Sequence, residues 1–395
     1  MKVLMIGWEL PPNNSGGLGK ACLGLSKSLS EKGVDITFVL PEKGDYKISF
    51  MKLLFADTNS AKVKLLGAYT PYAIFTFPDG KTKIMPFGYV EKVLSYATKI
   101  HDLIEELKDK EEFDVIHAHD WLTVPAALEA KKILHLPLVL HIHATEIDRT
   151  GGHSPNESVY EIEREGMRQA DKIVAVSNFT KDTIVKNYGI DASKIEVVHN
   201  GIGSISAKRF APALSKLKDL GYKVVLYLGR ISLMKGPEYF VYAAHKVLQY
   251  DSKVIFVVAG SGDMSEDMMT RAFNLGISKN IIFTGWLRGD EKARIYQAAD
   301  LYVLPSVSEP FGLTVLESIQ NGTPVIVSKQ SGVSEVINHA LKVDFWDIDE
   351  MANKILSALK YPLMQKVLID ESRKELGNLT WDKAADKCIG VYNQL

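Results

Sequence analysis

Two carboxylates eight positions apart, Glu309 and Glu317, bracket the turn Pro310-Phe311-Gly312-Leu313-Thr314. A glycine there lets successive backbone N–H groups open a helix toward an anion, so the stretch pairs negative side chains with an anion-binding turn. Glu309 falls just after an apolar run and a polar turn, Ser306-Val307-Ser308, and Glu317 falls two helical turns further on. A solvated helix face explains a lone glutamate better than it explains this arrangement. A second feature lies upstream, where Leu226-Tyr227-Leu228 ends in Gly229-Arg230 and Lys235-Gly236 follows. Two fixed cations at a strand end can hold a diphosphate and stabilise it as it leaves. Alone, an arginine and a lysine near a helix start are usually solvated surface; beside the paired carboxylates they gain a function.

The first half of the chain carries a different set. Trp8 to Lys20 contains Pro11-Pro12 and then Ser15-Gly16-Gly17-Leu18-Gly19, a turn in which glycines could let backbone N–H groups approach a phosphate. It is neither G-x-G-x-x-G nor a Walker A sequence, and a plain turn with a helix cap fits it equally well. Glu42, past the second strand, is the position of an NAD ribose ligand, but the glycine fingerprint that would support that role is missing. Histidines gather at strand ends in His117-Ala118-His119-Asp120, His141-Ile142-His143 and His153. An H-x-H pair in a strand puts both rings on one face, which raises a metal site. The binuclear hydrolase pattern is absent and no cysteine is near in sequence, so rings that hydrogen-bond sugar hydroxyls, or simply satisfied buried rings, explain the placement better.

The elements that must hold these residues read as parallel βαβ units, short Val/Ile/Leu runs alternating with longer amphipathic stretches. Strands are predicted at Lys2–Gly7, Val34–Leu40, Val115–His119, Leu138–His141, Lys172–Val176 and Ile195–Val198. Residues 46–88 break the rhythm: Tyr72 to Phe77 alternates and Pro78-Asp79-Gly80 follows, which predicts an antiparallel insertion with a turn. After Asn200-Gly201-Ile202-Gly203-Ser204, a second series predicts strands at Val224–Leu228, Val254–Ala259, Ile281–Thr284, Leu301–Pro305 and Pro324–Ser328. The expected fold class is therefore α/β, with two doubly wound Rossmann-like domains whose strand ends face across a cleft. Their bounds are read as 1–203 and 204–379, and the amphipathic stretch 380–395 is expected to fold back on the first domain.

With 395 residues, 46% hydrophobic and 24% charged, the chain is too long for a disulfide-stapled module and too apolar to stay disordered. Forty-seven Lys and Arg against 48 Asp and Glu leave a formal charge of −1, so no global attraction to nucleic acid or an anionic membrane is built in. An anionic ligand must be held locally. Cys22 and Cys388 have no framework spacing and read as reduced core thiols of a cytoplasmic protein. No stretch reaches the roughly 18 apolar residues of a membrane span. The sequence leaves the oligomeric state open.

Taken in order, these motifs resemble the retaining glycosyltransferases of GT-B fold, specifically family 4, the "glycosyl transferases group 1", with kinship to glycogen and starch synthases. The resemblance spans nearly the whole chain. It rests on Gly16-Gly17-Leu18, Val198-His199-Asn200-Gly201, Gly229-Arg230 with Lys235-Gly236, Gly285-Trp286-Leu287, and Glu309 to Glu317 as the family's E-x7-E. It implies that Arg230 and Lys235 bind the diphosphate of a nucleotide-sugar donor. Gly16, Gly17, Gly229, Phe311, Gly312, Leu313 and Thr314 would complete the cradle, with Asn200 on the donor side. Glu317 would take the ribose hydroxyls, and Trp286 and Leu287 would border the base. Glu309 would contact the transferred sugar, a hexose and foremost glucose, and His143 its 6-hydroxyl; His119, Asp120 and Trp121 would shape the side of a carbohydrate acceptor. The donor base, UDP or ADP, stays open. The resemblance implies no cofactor and no metal, in keeping with the lack of a well-placed DxD. One departure is Asn14, where the synthases carry lysine two residues before the paired glycines, which puts a polymer-elongating role in doubt. A GT-B nucleotide-sugar epimerase shares the two domains but does not explain the set from Gly229 to Glu317. A non-catalytic nucleotide-sugar or glycan binder is argued against by the intact Arg230, Lys235, Glu309 and Glu317.

Overall fold

The computed structural model describes residues 1–13, 16–57, 72–76, 82–86, 89–203 and 214–395, with backbone alone at 72–76, 82–86, 89–91 and 215. Asn14, the turn Pro78-Asp79-Gly80 and Ser204 lie outside the described residues. The chain forms two compact units: Met1–Ile147 with Ser154–Gly201 and Trp381–Leu395, and Ile202–Thr380 with Asp148–His153.

In the first unit the strands are β1 (Lys2–Ile6), β2 (Asp35–Leu40), β3 (Lys52–Phe55), the pair β4 (Tyr72–Thr76) and β5 (Thr82–Pro86), then β6 (Val115–His119), β7 (Leu138–Ile142), β8 (Lys172–Ala175) and β9 (Ile195–Val197). Seven of them make one parallel sheet in the order β3-β2-β1-β6-β7-β8-β9. Alternate residues of β1 go to opposite faces: Leu4 and Ile6 join one apolar cluster, Val3 and Met5 the other. Both faces are therefore covered, which is why these strands read as near-continuous apolar runs. One cover includes Val93, Tyr96, Ile100 and Ile104 of the helix Tyr89–Leu107. The other combines Cys22, Leu25 and Leu29 of the helix Gly17–Glu31 with Ala385, Cys388 and Val391 of the helix Trp381–Tyr392. Those two helices pack closely, since a Cβ on Gly24 would fall 2.3 Å from the Trp381 ring.

The second unit holds β10 (Lys223–Leu228), β11 (Val254–Ala259), β12 (Ile281–Gly285), β13 (Leu301–Leu304), β14 (Val325–Ser328) and β15 (Leu341–Val343). Their order is β12-β11-β10-β13-β14-β15, again all parallel. Each sheet thus grows to one side of its first strand and then reverses, between β1 and β6 and between β10 and β13. At such a switch point the connections leave in opposite directions, opening a crevice at the carboxyl ends of the strands.

Among the described residues of 46–88, the expected antiparallel pair is present and one strand departs from expectation. β4 and β5 do pair antiparallel, but β3 joins the main sheet in parallel to β2. A four-residue edge strand beginning on a solvent-exposed lysine has too short an apolar run to be read apart from its neighbours. β15 was not foreseen for the same reason: it has three residues, one of them charged. Among the described residues no helix is long and apolar enough to cross a membrane.

Candidate active site

In the second unit, the residues with chemical potential collect at the β10/β13 switch point. β10 ends at Leu228, and Gly229-Arg230-Ile231 continues beside the loop after β11: Gly229 N donates to Ala259 O at 3.0 Å and Ile231 N to Ser261 O at 3.0 Å. A Cβ on Gly260 would stand 1.9 Å from Gly229 O, and one on Gly262 2.1 Å from Ile231 O. Only glycine tolerates that approach. Sequence reasoning missed Gly260-Ser261-Gly262, whose signal was a glycine pair directly after a strand. Tyr227 Oη donates to Arg230 O at 2.7 Å and pins the turn, leaving the Arg230 side chain exposed.

Lys235 closes the 3₁₀ turn Leu233–Lys235, and Gly236 then caps the helix Pro237–Leu248 at φ 58°. The turn is tied to the loop after β13, because Val307 N donates to Met234 O at 3.0 Å. This brings Lys235 Nζ to 2.6 Å from Glu309 Oε2, with Ser306 Oγ at 3.3 Å from the same oxygen. The Glu309 side chain is 8% exposed and that of Lys235 19%, so the pair is largely shielded from water. Its backbone is fixed as well: Glu309 N donates to Gln330 O at 3.0 Å, and Gly332 N donates to Glu309 O at 2.8 Å. Gly312, at φ 113°, opens the helix Leu313–Gln320. Phe311 is 3% exposed and its carbonyl accepts from Val333 N at 2.7 Å, so its ring belongs to the core and only its backbone borders the turn.

Glu317 sits on that helix with two partners the sequence did not suggest. Lys292 Nζ lies 2.7 Å from Glu317 Oε2, and Tyr296 Oη reaches the same oxygen at 3.2 Å. Both come from the helix Asp290–Ala298, one turn apart. Tyr296 also bonds Thr314 O at 3.2 Å, and Tyr302 Oη joins Thr314 Oγ1 at 2.8 Å to Leu228 O at 3.2 Å. Burial first, then the Glu317 charge, pushes the Tyr296 phenol up, so it stays a donor to the carboxylate. Trp286 and Leu287 follow β12, with Trp286 44% exposed.

The first unit carries the remaining residues at the β1/β6 switch point. His117 and His119 of β6 stack at 4.6 Å between centroids, and His141 and His143 at the end of β7 stack at 4.3 Å. His119 Nδ1 lies 3.1 Å from His143 Nε2, and His117 Nε2 lies 3.2 Å from His141 Nδ1. The other nitrogen of His117 meets Tyr392 Oη from the last helix. Burial lowers His117 and His143 to about 3 and holds His119 and His141 well below the usual histidine range, so all four are neutral rings. Asp120, at φ 59°, accepts from His143 N at 2.6 Å and Ala144 N at 3.3 Å, which fixes the backbone carrying His143. Trp121 is 8% exposed and packs in the core. Gly16 and Gly17 begin the helix Gly17–Glu31 in this unit, where Gly19 N donates to Glu9 Oε1 at 3.3 Å; Glu9 is a carboxylate at that helix start which the sequence did not flag. Asn200, buried after β9, also belongs to the first unit.

Two Rossmann-like units with reversed sheet order, each bearing polar and charged side chains at its switch point, define the GT-B class of α/β protein. The family profile described as Glycosyltransferase Family 4 matches residues 15–203, and that of Glycosyl transferases group 1 matches residues 214–375. The chain belongs to these family-4, group-1 glycosyltransferases and is a transferase. It is 28% identical to an uncharacterized glycosyltransferase of Methanocaldococcus jannaschii, over 99% of this chain and 98% of that one. It is also 28% identical to a glycogen synthase of Mycobacterium tuberculosis, over 99% and 94%. Among solved structures, the Anabaena protein HepE in complex with UDP-glucose shares the fold at a TM-score of 0.71 and 16% identity, covering 99% of this chain and 100% of that one.

Proposed function

We propose that the protein is a retaining hexosyltransferase that moves glucose, or a close hexose, from a UDP- or ADP-linked donor to a carbohydrate acceptor without a metal ion. The observation that carries this reading is the shielded Lys235–Glu309 pair, 2.6 Å apart beside the glycine-opened helix Leu313–Gln320. A cation and a carboxylate held together at a strand end match the two charges that the reaction develops. The departing diphosphate takes Lys235 and Arg230, and Glu309, released from Lys235, faces the sugar as it gains oxocarbenium character. The bond from the anomeric carbon to the phosphate oxygen breaks, and the bond to the acceptor oxygen forms on the same face. The acceptor's proton passes to the leaving phosphate oxygen.

Gly229, Gly312, Leu313 and Thr314 supply backbone toward the diphosphate, Glu317 takes the ribose hydroxyls, and Trp286 and Leu287 border the base. His143 is assigned to the sugar's 6-hydroxyl, and the segment His119-Asp120-Trp121 to the acceptor side, which it shapes through its backbone while the Trp121 ring stays in the core. A glycogen synthase among the relatives and UDP-glucose in a protein of the same fold favour glucose as the transferred unit. The test is to incubate the protein with UDP- and ADP-glucose, with and without maltooligosaccharides or glycogen, and to measure nucleoside diphosphate release and the anomeric configuration of the product. Acceptor-stimulated release with retained α configuration is expected. Silence across a panel of nucleotide-sugars, or an inverted product, would overturn the reading.

A further inference from the structure

Cys22, His119 and His143 come from three places in the first unit: the helix Gly17–Glu31, the end of β6 and the residue just past β7. Each offers one ligand atom, and the three atoms lie within 4.8 Å of one another. We propose that this trio is a binding site for a borderline or soft transition-metal ion, foremost Zn²⁺. One thiolate and two imidazoles are a donor set that such ions take, with water completing four-coordination. The 3.1 Å between His119 Nδ1 and His143 Nε2 is close to the spacing of two nitrogens on one tetrahedral zinc, roughly 3.3 Å for bonds of about 2.0–2.1 Å. The ion therefore fits where the two rings now share a hydrogen bond.

The surroundings favour a cation. Both rings are neutral under burial and keep lone pairs to give. The Cys22 thiol is held protonated by burial and then by the negative charges of Asp120 and Glu9, and those two carboxylates attract an incoming ion. On binding, the thiol proton leaves to solvent and the sulfur–metal bond forms. The proton between the rings moves to an outer ring nitrogen; His119 Nε2, which is buried and has no hydrogen-bond partner among the described residues, can carry it. His143, the least buried of the three, gives the ion its way in. A second group, His117, His119 and His141, is as compact, but His117 is committed through both nitrogens to Tyr392 and His141. Occupation would withdraw His119 and His143 from transfer and so inhibit it; that consequence rests on the proposed function, whereas the binding does not.

The test uses full-length, tag-free, reduced and metal-stripped protein titrated with Co²⁺, followed by Zn²⁺ competition. One equivalent of Co²⁺ should bind with a thiolate-to-cobalt charge-transfer band in the near ultraviolet. Cys22→Ala should remove the band and weaken binding by more than about 100-fold, the upper end of what loss of a mere supporting residue costs. Cys388→Ala, the other buried thiol, should change neither. His143→Ala, at a partly exposed position, should weaken binding as much and keeps the test decisive if Cys22→Ala fails to fold. Absence of stoichiometric Co²⁺ binding, or a charge-transfer band that survives in Cys22→Ala, would overturn the proposal. So would binding that persists in Cys22→Ala but is lost in His141→Ala, which would place the ion on the other histidines.

Discussion

Glu309 owes its position to a cation and a hydroxyl, Lys235 Nζ at 2.6 Å and Ser306 Oγ at 3.3 Å. Replacing it by glutamine keeps the volume and a carbonyl for both donors but removes the charge. Glu309→Gln should lower the turnover rate by about 10²–10³, the scale of losing one preorganised electrostatic contact, with an unchanged far-ultraviolet circular dichroism spectrum. Full activity in that variant would show that the sugar is stabilised elsewhere. The histidine cluster gives a second residue-scale prediction. His117 is fully buried and lowered to about 3 by burial, below its unfolded value near 6.5, so between those values the unfolded chain binds a proton that the native one does not. Stability is therefore fully present above about pH 6.5 and falls as pH drops toward 3, by up to about 1.4 kcal/mol per pH unit for each such histidine. His119, His141 and His143 are displaced in the same direction. Urea denaturation at pH 7.5 and 5.5, a window in which most carboxylates stay ionised, should show a clear loss; equal midpoints would mean that the rings accept protons in the fold. What the sequence revealed at this scale were residues announced by their own neighbours, such as Glu309 after a strand and a polar turn. Lys292 and Tyr296 carry no such mark, because what they do depends on Glu317, a partner 25 and 21 positions away.

At the scale of elements, the site depends on loops that lie against one another backbone to backbone. Gly236 has φ 58°, and a Cβ there would meet Pro305 O at 2.2 Å, an atom that cannot swing aside. Gly236→Ala should therefore force apart the Lys235 turn and the β13 loop, costing about 2–4 kcal/mol through steric overlap and left-handed strain together. Chemical denaturation should show the loss in stability, and the rate of transfer should fall because Lys235 and Glu309 lose their register. A variant as stable as the parent would mean that the β13 loop moves freely. The strands themselves were legible because doubly covered parallel strands must be apolar on both faces, as Val224 to Leu228 and Val254 to Ala259 are. Edge strands relax that requirement. β3 and β15 are short and carry lysines, so their apolar runs give no period to read. The glycines at 260 and 262 show the same limit from the other side: their need for bare backbone comes from Gly229 and Ile231, about 30 residues earlier, and is visible only once β10 and β11 lie together.

At the scale of the whole molecule, the first unit is assembled from segments far apart in the chain. Trp381–Leu395 belongs to it although Ile202–Thr380 intervenes, and Ala384, Ala385, Cys388, Val391 and Tyr392 are all buried in the cluster built on Val3, Met5 and Phe38. A periodic apolar stretch after the last strand signals a helix that must bury one face. The partner of that face, Gly24 with the rest of the helix Gly17–Glu31, is set by shape: the missing Cβ makes room for the Trp381 ring. Tyr392 adds a polar tie to His117 in the same unit. The second unit has its own cluster, around Val225, Phe240, Phe256 and Met351, to which the last helix contributes nothing. Removing residues 381–395 should therefore strip one cover from β1 and β2 while leaving β10 to β15 packed. Hydrogen exchange should show loss of amide protection across β1, β2 and the helix Gly17–Glu31, with protection in β10 and β11 unchanged. Each large apolar side chain lost from that cover is worth about 1.5–3 kcal/mol of burial, so Val391 and Tyr392 alone account for much of a typical domain's margin of 5–15 kcal/mol. Equal loss of protection in both sheets would show instead that the two units unfold as one; unchanged protection in β1 would show that the last helix is dispensable to the first.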